Sequence, residues 1–132
     1  MRELPDRFIF TLGGFFSKTH QFVWQHGQIN YHFQSLPTNT EPAIITPDSQ
    51  AWARFWPAVA AAGVWQWEAD YLNQAVLDGT QWSLELAFQG RYLSCEGSNA
   101  YPGGHGTEYS NTSEFVRFLK ALETLTGIPD IR

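Results

Sequence analysis

The chain has 132 residues, and its 13 Asp and Glu outnumber 8 Lys and Arg for a formal charge of −5. That length lets a chain bury roughly two-thirds of its unfolded surface, enough for one core without a metal or disulfide staple, so residues 1–132 are expected to form a single α+β domain. The acidic balance argues against a nucleic-acid binder, which needs surplus cations to meet phosphate. The lone Cys95 excludes an intrachain disulfide, and no apolar run approaches the roughly 20 residues that span a bilayer.

The opening residues MRELPDRFIF lack the apolar stretch of a signal peptide, so a reducing, cytoplasmic location is expected. Six Trp, five Tyr and ten Phe make the chain aromatic-rich, and charged residues are only 16% of it. Aromatic packing is therefore expected to dominate the core, with amides and hydroxyls supplying much of the polar surface.

Phe8, Phe10 and Leu12 alternate ahead of Gly13-Gly14 and predict a first strand. Residues 20–34, HQFVWQHGQINYHFQ, alternate on both sides of His26-Gly27, a two-residue hairpin turn. That turn pairs Trp24 with Ile29, Phe22 with Tyr31 and His20 with Phe33 on one apolar face. Gln21, Val23, Gln25, Gln28, Asn30 and His32 share the other.

A helix is predicted to open at Thr46 as N-cap with Pro47 at N1, and to bury Trp52, Phe55, Trp56 and Val59 before closing at Gly63. Pro57 lies in its interior and should kink or split it. Residues 64–71 then alternate Trp65, Trp67, Ala69 and Tyr71 against Gln66, Glu68 and Asp70, and Asp78-Gly79 is a favoured hairpin turn. Folding about it would set Tyr71 beside Leu86 and Ala69 beside Phe88.

Residues 82–97, WSLELAFQGRYLSCEG, form a second hairpin about Gln89-Gly90 that pairs Leu86 with Leu93, Leu84 with Cys95 and Trp82 with Gly97. A last helix opens with Asn111 at N-cap and Glu114 at N3, buries Phe115, Phe118, Leu119 and Leu122, and ends at Gly127. Hairpin glycines and helix faces recur at an offset of 63 positions, but the offset carries core Phe22 onto solvent-facing Glu85, against a duplication. The expected fold is an α+β two-layer sandwich. A mainly antiparallel sheet of about five to six strands (hairpin, helix, three-stranded meander, helix) carries both helices on one face.

Few residues carry chemistry. Register places Cys95 on the core face, where a thiol is inert packing. The histidines His20, His26, His32 and His105 have no metal-ligand spacing, so neither a metal nor any other cofactor is expected. Glu85 and Glu96 are diagonal neighbours on an outer face, as a carboxylate pair requires, but no cleft surrounds them. All six tryptophans read as packing.

Residues 97–110, GSNAYPGGHGTEYS, are rich in turn formers, and a segment of about fourteen residues without its own structure is commonly functional or disordered. Ser98, Asn99, Tyr101, His105 and Tyr109 are its candidate binding residues; its glycines are not followed by the Lys-Ser or Lys-Thr of a phosphate loop. The outer strand faces are amide-rich (Gln21, Gln25, Gln28, Asn30, Gln34) and acidic (Glu68, Asp70, Glu85, Glu96).

The function expected from these features is a small non-enzymatic protein-interaction or ligand-binding module. An inhibitor or immunity-type protein for a basic partner is its specific form. The alternative is a small hydrolase or transferase using His105 with Glu96 or Glu108. A homodimer through open edge strands is a further reading, with neither nucleic acid nor membrane as partner.

Overall fold

The computed structural model describes residues 3–14, 18–35, 38–39, 42–73, 79–103 and 112–131. Their strands are β1 (Arg7–Gly14), β2 (Thr19–Gln25), β3 (Gln28–Ser35), β4 (Thr38–Asn39), β5 (Ala43–Ile45), β6 (Asp70–Leu72), β7 (Thr80–Phe88) and β8 (Arg91–Ser98). They make one sheet in the order β4-β3-β2-β1-β7-β8-β6, with β5 also on β3. Helices α1 (Ser49–Ala61) and α2 (Ser113–Thr126) pack on one face, giving the expected two-layer α+β sandwich. The sheet exceeds the expected strand number through the short pieces β4 and β5.

Both hairpins have the register that alternation dictates. Trp24 faces Ile29, Phe22 faces Tyr31 and His20 faces Phe33. In the second, Leu86 faces Leu93, Leu84 faces Cys95 and Trp82 faces Gly97. His26 and Gly27 have φ of 56° and 78°, Gln89 and Gly90 of 49° and 83°, the left-handed pairs that let a two-residue turn follow the strand twist.

The three-stranded meander does not form. β6 is short and pairs parallel to β8, setting Tyr71 opposite Gly97 rather than beside Leu86. The edge of β7 meant for it is taken by β1, in register from Arg7↔Ala87 to Gly14↔Thr80. Residues 64–66 are a 3₁₀ turn after Gly63, whose φ is 80°. Within residues 64–67 the buried positions are Val64 and Trp67, three apart, which suits three residues per turn better than a strand. Asp78, in the expected turn, lies outside the described residues.

Both helices start later than expected. Asp48, not Thr46, caps α1, its Oδ1 accepting the Ala51 N–H at 2.8 Å. This moves Pro47 from N1 to outside the helix. Thr112, not Asn111, caps α2, its Oγ1 accepting from Phe115 N and its hydroxyl donating to the Pro102 carbonyl. Glu114 becomes N2 and the reciprocal box is lost; Asn111 itself lies outside the described residues. α1 continues through Pro57 as one helix, not two.

The core is the contact between the helices and the inner sheet face. Phe8, Phe10, Phe22, Trp52, Phe115 and Phe118 are fully buried, each such side chain stabilising the fold by about 1.5–3 kcal/mol. Phe10 meets Phe118 edge-on at 5.1 Å and Trp56 stacks on Phe88 at 3.7 Å. Trp56 donates its indole N–H to the Glu3 carbonyl and Trp82 donates to that of Ala100. The tryptophans are packing: four are buried, while Trp24 and Trp65 are partly buried against the same core.

Gly97 and Gly90 separate two reasons for glycine. A Cβ on Gly97 would lie 2.1 Å from Trp82 Nε1 and 2.5 Å from the Ala100 carbonyl oxygen, whereas one on Gly90 would meet nothing but has φ of +83°. Gly90→Ala should lose about 1–2 kcal/mol of stability to urea through backbone conformation, leaving the near-UV circular dichroism unchanged. Gly97→Ala should lose about 1–3 kcal/mol or more and alter that spectrum, because the indole must move off its acceptor.

Candidate functional site

With both helices on the inner face, the outer face of the sheet has no layer over it among the described residues. Alternation decides what it shows. β1 contributes Ile9 and Thr11, β7 contributes Ser83 and Glu85, β8 contributes Ser94 and Glu96, and β6 contributes Asp70 and Leu72. Register arranges these in cross-strand rows, Ile9 beside Glu85 beside Ser94, and Thr11 beside Ser83 beside Glu96 beside Asp70.

This half of the face is hollowed. A hollow of about 540 Å³ is lined by Thr11, Asp70, Tyr71, Leu72, Ser83, Glu96 and neighbouring strand residues. A second of about 420 Å³ adds Ile9, Glu85 and Ser94 and shares Asp70, Ser83 and Glu96 with the first. The amide-rich and acidic surfaces that appear separate in the sequence are two halves of one face, joined because β1 pairs Ile9 with Val23 and Thr11 with Gln21.

The three carboxylates are not equivalent. Glu85 is neutralised by Arg7, whose Nε and Nη2 both donate to Oε2 at 3.0 and 2.8 Å. Asp70 and Glu96 are direct neighbours on β6 and β8, and both are exposed. The Arg7–Glu85 bridge is the ion pair found among the described residues, and neither Asp70 nor Glu96 has a cation within ion-pair distance among them. Like charges directly opposite on a sheet disfavour the fold. Two apolar side chains on the same face, Leu72 and Tyr92, are 57% and 64% exposed.

Of the loop residues singled out in the sequence, three lie among the described residues, and Ser98 lines the larger hollow. Asn99, in the left-handed region at φ 56°, exchanges hydrogen bonds with Thr80: its N–H donates to the Thr80 carbonyl and its Oδ1 accepts the Thr80 N–H, both at 2.9 Å. Tyr101 is buried with its ring 5.0 Å from that of Phe115. Ser98 ends β8, where its carbonyl accepts the Asn73 N–H. Asn99 and Tyr101 hold this end of the sheet against the core, whereas Ser98 belongs to the outer face. His105 and Tyr109 lie outside the described residues, as does Glu108.

The remaining chemistry-bearing groups stay apart. Cys95 is buried, and burial pushes its thiol up to about 12. His20 is buried with Nδ1 2.8 Å from the Tyr31 hydroxyl, His26 sits in its turn, and His32 lies on the outer face opposite Gln21. Among the described residues no group of His, Cys, Asp and Glu could hold a metal ion, and no helix is long and apolar enough to cross a membrane.

Asp70 beside Glu96 is the feature the sequence reading missed. An antiparallel meander would have placed the Asp70 strand next to β7, two strands from Glu96. No local spacing signals it, because the pairing joins residues 26 positions apart.

Burial also raises the hydroxyls of Tyr31, Tyr71 and Tyr101. Each of these acids, like Cys95, holds its proton more tightly folded than unfolded. Their contribution is therefore fully present below the unfolded pKa values and is lost as pH rises through the folded ones. Urea midpoints should fall from pH 9 towards about 12. Native Cys95 should resist iodoacetamide at pH 8 yet react on denaturation, because the thiolate is the nucleophile. No protein-family model matches this chain and no curated protein matches it significantly, so its function is argued from these surfaces.

Proposed function

We propose that the protein is a non-enzymatic interaction module that docks a basic protein on the open sheet face, in the manner of an inhibitor or immunity-type protein. The observation that carries this reading is the Asp70/Glu96 pair: two exposed neighbouring carboxylates, with no cation within ion-pair distance among the described residues, on a hollowed face. A cationic side chain of a partner would be attracted by both carboxylates at once. Leu72 at the rim and Tyr92 further along β8 supply apolar contacts beside that charge, and Thr11, Ser83 and Ser94 supply hydroxyls for hydrogen bonds.

The same geometry argues against acid–base catalysis at this face. Glu85 is held by Arg7, and the hollows are broad and open rather than the desolvated clefts that tune a carboxyl for proton transfer. Complementary charge acts mainly on association rate and partner choice, which is what a capping protein requires.

Immobilised wild-type protein should retain from a lysate of its own organism a partner of high isoelectric point that elutes as salt is raised. Asp70→Lys/Glu96→Lys should weaken its binding by about tenfold or more, since close charge pairs across interfaces couple by about 1.5–7 kcal/mol. Gln25→Lys, on the amide-rich half, should bind as wild type. Retention of the same partner by the double variant with unchanged affinity, or of an acidic partner by both, would refute the assignment.

A further inference from the structure

A groove on the opposite side of the molecule is lined by the opposite charge. α1 and α2 enclose a groove of about 370 Å³ on their outer surface, floored by Phe55, Ala58, Ala62, Ala121 and Leu125. A surface helix ordinarily turns charged and polar residues outward. α1 instead exposes Ala53, Pro57, Ala60 and Ala61, with Arg54 as the charge among them. The banks of the groove carry Arg54 from α1 and Arg117 and Lys120 from α2, and no acidic residue lines it among the described residues.

These three are all exposed and account for three of the eight Lys and Arg in a chain of net charge −5. None has a carboxylate within ion-pair distance among the described residues; Arg54 has a long 3.4 Å contact to the Gln50 side chain. A cationic rim over a methyl-lined floor, on an otherwise acidic protein, is complementary to a ligand that is apolar on one side and anionic on the other.

We infer that this groove is a second docking site, and that its occupant is an acidic amphipathic helix of a partner protein. Alanine on the banks removes the side chains that would hold a third helix away, and helix–helix distance follows the size of the residues at the contact. From Ala51 to Ala62 the groove runs about 16 Å at 1.5 Å per residue. That is three turns, enough for apolar anchors at i, i+3 or i+4, and i+7 with Glu or Asp reaching the cations on either bank. An aliphatic acid fits less well, because the groove lies open to solvent, whereas small-molecule sites enclose most of the ligand. The site is independent of the sheet-face reading, since it lies on the other layer and uses charge of the other sign.

The probe is a fluorescein-labelled peptide of about 20 residues, with Leu at i, i+3, i+4 and i+7 and Glu and Gln elsewhere, read by anisotropy against the full chain. Its Lys counterpart and a scrambled peptide of the same composition serve as controls. The acidic helix should bind saturably and gain helicity. Arg54→Glu/Arg117→Glu/Lys120→Glu should weaken it about tenfold or more. Ala58→Gln, which fills the floor without touching charge, should weaken it as well, with thermal unfolding confirming that both variants fold. Asp70→Lys/Glu96→Lys should leave this binding in place while weakening binding at the sheet face. The inference is overturned if the acidic helix does not bind, if the scrambled peptide binds equally, if palmitate binds the groove where the helix does not, or if the groove instead mediates self-association.

Discussion

Every other feature of this fold depends on β1 being paired along both edges. Antiparallel to β2 on one side and to β7 on the other, it joins two hairpins that would otherwise be separate ribbons. An isolated two-stranded hairpin is marginal in water, and three or more strands with one buried face are needed for stability. Phe8, Phe10 and Leu12 carry that requirement: at 0–1% exposure they are the centre line of the core, and both helices meet it there. Phe8 contacts Trp52 and Phe55 of α1, while Phe10 contacts Phe115 and Phe118 of α2. The outward residues of the same strand, Ile9 and Thr11, then become the midline of the open face.

An aromatic core of this density has to place its indole N–H groups. Trp56 and Trp82 do so on backbone carbonyls at chain segments that have no regular partner, residues 3 and 100. Trp82 thereby pins the segment after β8, and Gly97 opposite it leaves room for the ring. The indole nitrogens of Trp52 and Trp67 have no oxygen or nitrogen acceptor among the described residues. Trp52 is edge-on to Trp24, and Trp67 is edge-on to Trp82 and Phe118. Ring faces are weak acceptors that can accommodate such an edge. Glu114 fits the same logic at the start of α2, its carboxylate lying where a Cβ on Gly63 or Gly103 would have to be.

Layering separates charge as well as polarity. The sheet leaves one face free, and β6 lies against β8 where it concentrates carboxylates at that end. The helices leave their own outer surface free, and the groove there is lined by alanine and three cations. Charge complementarity at such places acts on partner choice more than on raw affinity. The assignment of a basic partner to one layer and an acidic helix to the other follows from where each element turns its second face.

Local spacing in the chain was enough for the hairpins and for the buried faces of the helices. Period-two alternation about His26-Gly27 and Gln89-Gly90 set both hairpin registers, because a one-residue slip would turn every aromatic outward. The i, i+3, i+4, i+7 spacing set the buried faces of both helices, and the register of Cys95 opposite Leu84 already marked it as a core residue. Helix starts were legible only to within one or two positions, since Thr46 and Asp48 are both competent caps. Tertiary structure alone decided which strand takes each free edge. Residues 64–71 alternate well enough to pair with β7, but β1 offers that edge eight residues and three fully buried apolar side chains, so β6 is left parallel to β8. Asp70 came to lie beside Glu96, and Asn99 and Tyr101 came to lie in the packing, through pairings between residues far apart in the chain, which no local pattern encodes.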